Sequence, residues 1–305
     1  MVPIRPARAA LLAALLALAS MLAGTAGAAG LSGTNPADAA CPDDGCRVEG
    51  GRYRVVVPPA WNGRDRLPVA VWFHGYRQDP GEVIGDRPLV APFTRRGVLL
   101  VVPEGAEGSW NFRARPEGRD EPAFVGRVLD DVRRRWAIDE GHVAALGFSI
   151  GATMVWSLAC RREPAFTAHV AFSGTLWPPY PEHCAAGRTD LLHIHGTTDT
   201  VFPLAGREVR TGLRQGNSDM MLDFLRAEKS CRPAAPTLSA PVPTAPVPTA
   251  ALPTASVPAA APPAGLTCRH DACASGGTVV SCRHGGGHWV EPAWVDMALG
   301  WMLAR

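Results

Sequence analysis

The chain of 305 residues has no excess of either charge, with 30 Lys and Arg against 28 Asp and Glu and a net charge of +2. That removes any broad electrostatic basis for binding nucleic acid or an anionic membrane, and neither is expected as a partner. The basic residues are almost all Arg, in scattered short clusters such as Arg133-Arg134-Arg135, which read as a solvated helix face. Long apolar runs are missing too. The longest, Ala9 to Ala23, has roughly 15 residues, short of the ~20 that a membrane-spanning helix needs, so no integral membrane segment is expected. There is no C-x-x-C pair of the zinc or dithiol-redox kind, and no metal or other cofactor is expected.

What is present at the start reads as an address. Arg5 and Arg8 precede the apolar run, and small residues ending in Ala26-Gly27-Ala28 follow it. This is the order of a secretory signal peptide over residues 1–28, which places the mature protein outside the cell or in a periplasm. No cysteine stands near the expected cut, which argues against lipid attachment there. The eight cysteines then read as disulfides, as is usual in an oxidising compartment. Proximity in the chain suggests Cys41–Cys46, Cys160–Cys184, Cys231–Cys268 and Cys273–Cys282. No feature specifies an oligomeric state.

Residues 29–49 are small, polar and turn-rich, and are expected to be a loosely held mature N-terminus. Residues 50–305 are read as one catalytic domain. Arg52 to Val57 alternates and stops at Pro58-Pro59, as an edge strand would. Leu67 to Phe73, Val98 to Val102, His142 to Leu146 and Leu191 to Ile194 are continuous apolar runs, the pattern of strands buried on both faces of a parallel sheet. Helices are expected over Pro122 to Trp136, with Phe124, Val128, Val132 and Trp136 on one stripe, and over Ile150 to Cys160 and Pro292 to Leu303. Strands alternating with helices argue a single-domain α/β fold, a mostly parallel central sheet with helices on both faces. One segment, 232–267, is dominated by Pro, Ala, Thr and Val and nearly repeats Ala-Pro-Val-Pro-Thr at 240 and 245. It is expected to be an extended, disordered insertion, either a solvated spacer or a glycosylated or wall-contacting arm. A Cys231–Cys268 bridge would close it into a loop of about 36 residues, worth roughly 3–4 kcal/mol in chain entropy.

The chemistry begins at Gly147-Phe148-Ser149-Ile150-Gly151, a G-x-S-x-G sequence with an apolar strand before it and a helix after it. That setting makes Ser149 the candidate nucleophile, exposed on a strained turn above the sheet. A serine hydroxyl needs a neighbouring base at neutral pH. With the order Ser, acid, His, the acid is Asp199, just past the C-terminal end of the Leu191 strand, the edge where sites in open α/β sheets gather. Asp190 stands at the opposite end of that strand and Asp223 within a helical run. The base is His288, after the apolar run Gly277 to Ser281 and at the end of Gly285-Gly286-Gly287, which lets the loop curl over the sheet edge. His284 is its nearest rival, while His142, His169, His193 and His195 read as satisfied sheet or loop histidines. The backbone N–H groups of Tyr76, after His74-Gly75, and of Ile150 are the expected oxyanion donors. Trp110, Trp177 and Phe202 fall on loops and are candidates for the substrate cleft, with core packing as the alternative.

Taken together, His74-Gly75-Tyr76, the Gly147–Gly151 elbow, His195-Gly-Thr-Thr-Asp199 and Gly-Gly-Gly-His288 resemble the polyhydroxybutyrate depolymerase-like esterases, a family similar to secreted feruloyl esterases. The resemblance runs from about Tyr53 to Ala304, apart from the Pro/Ala/Thr insert. It implies an α/β-hydrolase fold and export, with hydrolysis of carboxylic esters through an acyl-enzyme and without a metal. It gives Ser149, Asp199, His288, Tyr76 and Ile150 the roles already argued, and the paired cysteines around the histidine loop fit it as well. In one respect the chain departs: Trp289 follows His288 directly and proline waits until Pro292. No polymer-binding module is read, so soluble oligomers and small aryl or hydroxyacyl esters are expected as readily as an insoluble polyester. A feruloyl or acetyl carbohydrate esterase is the alternative. A serine peptidase and a non-catalytic binding protein on a hydrolase fold are more distant ones.

Overall fold

A computed structural model describes residues 41–162, 166–233, 263 and 265–305. The expected signal segment 1–28, residues 29–40 and most of the Pro/Ala/Thr insert lie outside the described residues.

The frame is a ten-stranded sheet in the order β1-β2-β4-β3-β5-β6-β7-β12-β11-β10. Its strands are β1 Cys46–Val48, β2 Gly51–Val56, β3 Leu67–Phe73, β4 Leu99–Pro103, β5 Ile138–Phe148, β6 Ala168–Phe172, β7 Leu191–Gly196, β10 Cys231–Pro233, β11 Thr267–Cys273 and β12 Thr278–His284. The central run from β4 to β12 is parallel, and both flanks are antiparallel. A separate small ribbon pairs β8 Glu208–Arg210 with β9 Leu213–Arg214.

The central strands are apolar over most of their length because both faces are covered. In β3 the side chains of Val69, Val71 and Phe73 enter one core, and those of Ala70 and Trp72 enter the other, the two-residue alternation of an extended chain. The first core packs against α3 Glu121–Arg135, α4 Ile150–Arg161 and α5 Ser218–Glu228; the second packs against α1 Pro80–Gly85, α2 Arg87–Arg95 and α6 Pro292–Met302. Helix α3 shows why these segments coil. Asp120 caps its first turn by accepting from the Ala123 N–H, Pro122 needs no amide partner there, and three arginines complement the carbonyl end. The stripe Phe124, Val128 and Val132 is fully buried.

Several expectations are corrected here. Strand β2 is not the sheet's edge, because β1 pairs with it and the Cys41–Cys46 bridge secures the approach. Residues 41–49 are therefore held, not loose. Residues 232, 233 and 267 are strand residues, not insert. The cysteine pairing also differs on that side. Cys41–Cys46 and Cys160–Cys184 form as expected, but the others are Cys231–Cys273 and Cys268–Cys282. The reason is register: in the β10–β11–β12 sheet Cys231 stands directly opposite Cys273, and Cys268 opposite Cys282. All eight cysteines are paired.

Candidate active site

Parallel strands end on one side, and the side chains of interest lie in the connections that leave β3, β5, β7 and β12 there. At the end of β5 the chain turns sharply into α4. Ser149 takes φ 57° and ψ −120°, a conformation that costs a residue with a side chain about 1–3 kcal/mol. It is held by its N–H donating to the Phe172 carbonyl (2.9 Å) and its carbonyl accepting from the Thr153 N–H (3.1 Å). Only glycine fits on either side. A Cβ on Gly147 would lie 2.5 Å from the Gly151 carbonyl oxygen, and one on Gly151 would lie 1.9 Å from that of Phe73. Ser149 stands at the N-cap of α4 without using its hydroxyl as a cap, which leaves Oγ available.

Asp199 and His288 come together because two strand-end loops are stitched. The Thr197 N–H donates to the His284 carbonyl (2.8 Å) and the Thr198 N–H to that of Gly286 (3.1 Å). A Cβ on Gly196 would meet the Gly286 oxygen at 2.2 Å, so glycine permits the approach. His288 Nδ1 then lies 2.6 Å from Asp199 Oδ2. The other carboxylate oxygen accepts from the N–H groups of Val201 (2.9 Å) and Phe202 (2.8 Å). Burial pushes the Asp199 carboxyl up, but hydrogen bonds from His195, His288 and Phe202 outweigh it and hold the group well below the usual carboxylate range. An ionised Asp199 accepts the Nδ1–H of His288, which leaves Nε2 as the ring nitrogen able to take a proton.

The His288 ring packs on Phe148, next to Ser149, at 4.7 Å between centroids. The imidazole thus overhangs the elbow, although among the described residues Ser149 Oγ forms no hydrogen bond with it. Trp289 folds back over the glycines that lead to His288, so tightly that a Cβ on Gly286 would lie 2.1 Å from its ring. That contact, together with His284 stacked between Trp289 and Trp294, shapes the loop where the sequence departs from the resembled family.

Tyr76 follows β3 and is exposed, and neither its N–H nor that of Ile150 donates to another described residue. Sequence reasoning missed what holds the Tyr76 loop. His74 is fully buried, and its Nε2 accepts from the Gly105 N–H (2.9 Å), so its proton is on Nδ1 and donates to the Gly75 carbonyl (2.9 Å). Burial pushes its pKa down and keeps it neutral. The only signal was a histidine at the end of a buried strand.

Trp110 belongs to this brace and not to a cleft: it is buried, donates to the His74 carbonyl (3.0 Å) and packs edge-on against Phe73. Phe202 is buried too, against Trp177 and His195. Trp177 lines a cavity with Phe112, Tyr180 and residues 157, 160 and 161 of α4. At about 1.5 Å per residue that lies roughly 12–18 Å along the helix from Ser149. Trp110 and Phe202 thus take the alternative of core packing, and Trp177 is buried as well, against Phe112 and Phe202. His284, the rival base, has Nδ1 engaged by the Gly286 N–H (3.1 Å).

Sheet order, crossovers and the serine elbow together define an α/β-hydrolase fold. A solved acetyl xylan esterase from Aspergillus awamori has that fold in common with this chain, at TM-score 0.52 and 12% identity, over 84% of this chain and 95% of the other. No protein-family model matches the sequence. Among curated proteins the chain is similar to feruloyl esterase D of Neurospora crassa, 29% identical over 54% of this chain and 59% of that one. It is also similar to a probable feruloyl esterase C of Aspergillus flavus (33% identical, 52% and 59%). A third relative is the putative esterase NocK of Nocardia uniformis subsp. tsuyamanensis (29% identical, 52% and 49%). The chain spans about half to three-fifths of the length of these relatives.

Proposed function

We propose that this protein is an exported serine hydrolase that cleaves carboxylic esters. One observation carries the reading: a buried Asp199 bonded to His288, with that imidazole packed beside the strained Ser149 turn. In this mechanism Ser149 Oγ attacks the ester carbonyl while His288 Nε2 takes its proton, and Asp199 holds the imidazole and stabilises its charged form. The N–H groups of Ile150 and Tyr76 receive the oxyanion. His288 then protonates the departing alcohol, and water repeats the sequence on the acyl-enzyme.

Similarity to proteins named feruloyl esterases favours aryl esters, of the feruloyl-carbohydrate kind, as the substrate class. The motif resemblance supports a second reading, hydroxybutyrate oligomers or other short-chain esters. Four disulfides support export. The decisive experiment is fluorophosphonate labelling with hydrolysis of methyl ferulate, p-nitrophenyl acetate and a hydroxybutyrate trimer. Ser149→Ala should abolish labelling and cut turnover by about 10⁴–10⁶. A folded variant that keeps a tenth of the activity overturns the proposal.

A further inference from the structure

Two histidines that the mechanism above does not use, His193 and His195, are fully buried side by side on β7, directly behind Asp199. Their rings lie 5.3 Å apart between centroids, and Trp156 of α4 meets His193 edge-on at 5.8 Å. Resting on the proposed triad, we infer that Trp156, His193 and His195 form a one-way hydrogen-bond relay that fixes the Asp199 carboxylate, with His195 as a positioning residue for the catalytic acid.

The direction of the relay follows from what each atom can do. An indole N–H can only donate, and that of Trp156 lies 3.2 Å from His193 Nδ1. That nitrogen is therefore bare, and the neutral ring carries its proton on Nε2. His193 Nε2 lies 3.2 Å from His195 Nδ1, which must accept, leaving the His195 proton on Nε2. This N–H points at the Phe202 carbonyl (2.7 Å) and, at 3.5 Å, toward Asp199 Oδ2. A carbonyl can only accept, so the two ends of the chain demand the same order. The Ser218 hydroxyl, 3.3 Å from His195 Nδ1, can add a second donor at that acceptor.

A second geometric fact ties the relay to the triad. Phe202 offers its carbonyl to His195 and its N–H to Asp199 Oδ1. The turn 199–202 is thus clamped from both sides, and with it the oxygen that receives His288. Reversing the two tautomers would turn a lone pair of His195 onto the Phe202 carbonyl and the carboxylate. Burial pushes His193 well below the ordinary imidazole range, so it stays neutral and its Nδ1 remains open to the Trp156 N–H. An apolar pair would fill this space without the cost of burying four ring nitrogens. The donor chain gives the polar pair a purpose.

The test has an arm independent of activity. In ¹⁵N-labelled protein, long-range nitrogen–proton NMR should show both His193 and His195 as neutral Nε2–H tautomers. His195 in the Nδ1–H form overturns the relay whatever the protein catalyses. Absence of both labelling and hydrolysis in the wild type, with the tautomers as stated, would count against the hydrolase reading alone. In the active enzyme, His195→Leu should lower kcat about 10- to 100-fold, the size of effect that loss of an orienting partner produces, with KM changed less than about threefold. His195→Gln, whose amide N–H has a similar reach, should restore kcat to within about threefold of wild type. Trp156→Phe keeps the ring and removes only the donor, and should lower kcat in the same direction. Equal kcat for folded Leu and Gln variants at 195 overturns the proposal.

Discussion

At the scale of single residues, the candidate site divides into what chemistry makes legible and what packing decides. Ser149, Asp199 and His288 could be named from residue type, chain order and place after a strand. Nothing in the sequence says which way Trp110 or Phe202 turns. Each faces inward because a backbone group needs it there: Trp110 donates to the His74 carbonyl, and the amide and carbonyl of Phe202 serve Asp199 and His195. Asp199 is held ionised well below the usual carboxylate range, so it stays charged wherever the protein works and should not define the acid side of a pH–rate profile. Asp199→Asn keeps the side chain's shape but can turn an amide donor toward His288 Nδ1 and favour the wrong tautomer. Turnover should fall about 10³–10⁴-fold with the thermal midpoint little changed, measured by ester hydrolysis and calorimetry. Loss smaller than tenfold would mean that another group orients the base.

At the scale of elements, β3, β4, β5 and β7 were readable as strands because burial on both faces leaves them mostly apolar, with His193 and His195 of β7 as buried polar exceptions. Strand β11, Thr267-Cys-Arg-His-Asp-Ala-Cys273, was not, since it lies at the sheet flank, where Thr267, Arg269, His270 and Ala272 stay exposed and no apolar run forms. Its pairing with β10 sets the register of Cys231–Cys273 and its pairing with β12 that of Cys268–Cys282, which neighbourhood along the chain cannot supply. Peptide mapping without reductant should therefore recover Cys231 joined to Cys273 and Cys268 joined to Cys282, and no Cys231–Cys268 peptide. The elbow offers a second check. Gly151→Ala would put a methyl carbon into the Phe73 carbonyl, so α4 cannot keep its seat on β3. The variant should lose several kcal/mol of stability or fail to fold, seen in yield and thermal midpoint.

At the scale of the whole molecule, acid stability is set in part by buried histidines. Burial in the core beside β7 lowers His169 to about 4 from an ordinary 6.5. Between those values the unfolded chain binds a proton that the folded chain refuses. Stability from this group is therefore complete above about pH 6.5 and is lost progressively as pH falls toward 4, by about 3 kcal/mol in all. His193, moved the same way, adds to the loss. Urea midpoints should drop between pH 7 and pH 5, before ordinary carboxylates titrate, and His169→Asn should flatten that slope. An unchanged slope would assign the loss to other groups.

The bridge between β10 and β11 also governs what happens if the polypeptide is severed in the stretch between them. One fragment would carry Ser149 and Asp199, the other His288, yet Cys231–Cys273 would keep them covalently joined across paired strands. A protease cut anywhere in 234–262 should thus leave a single band on a non-reducing gel, two after reduction, and an enzyme that still turns over until thiols are added.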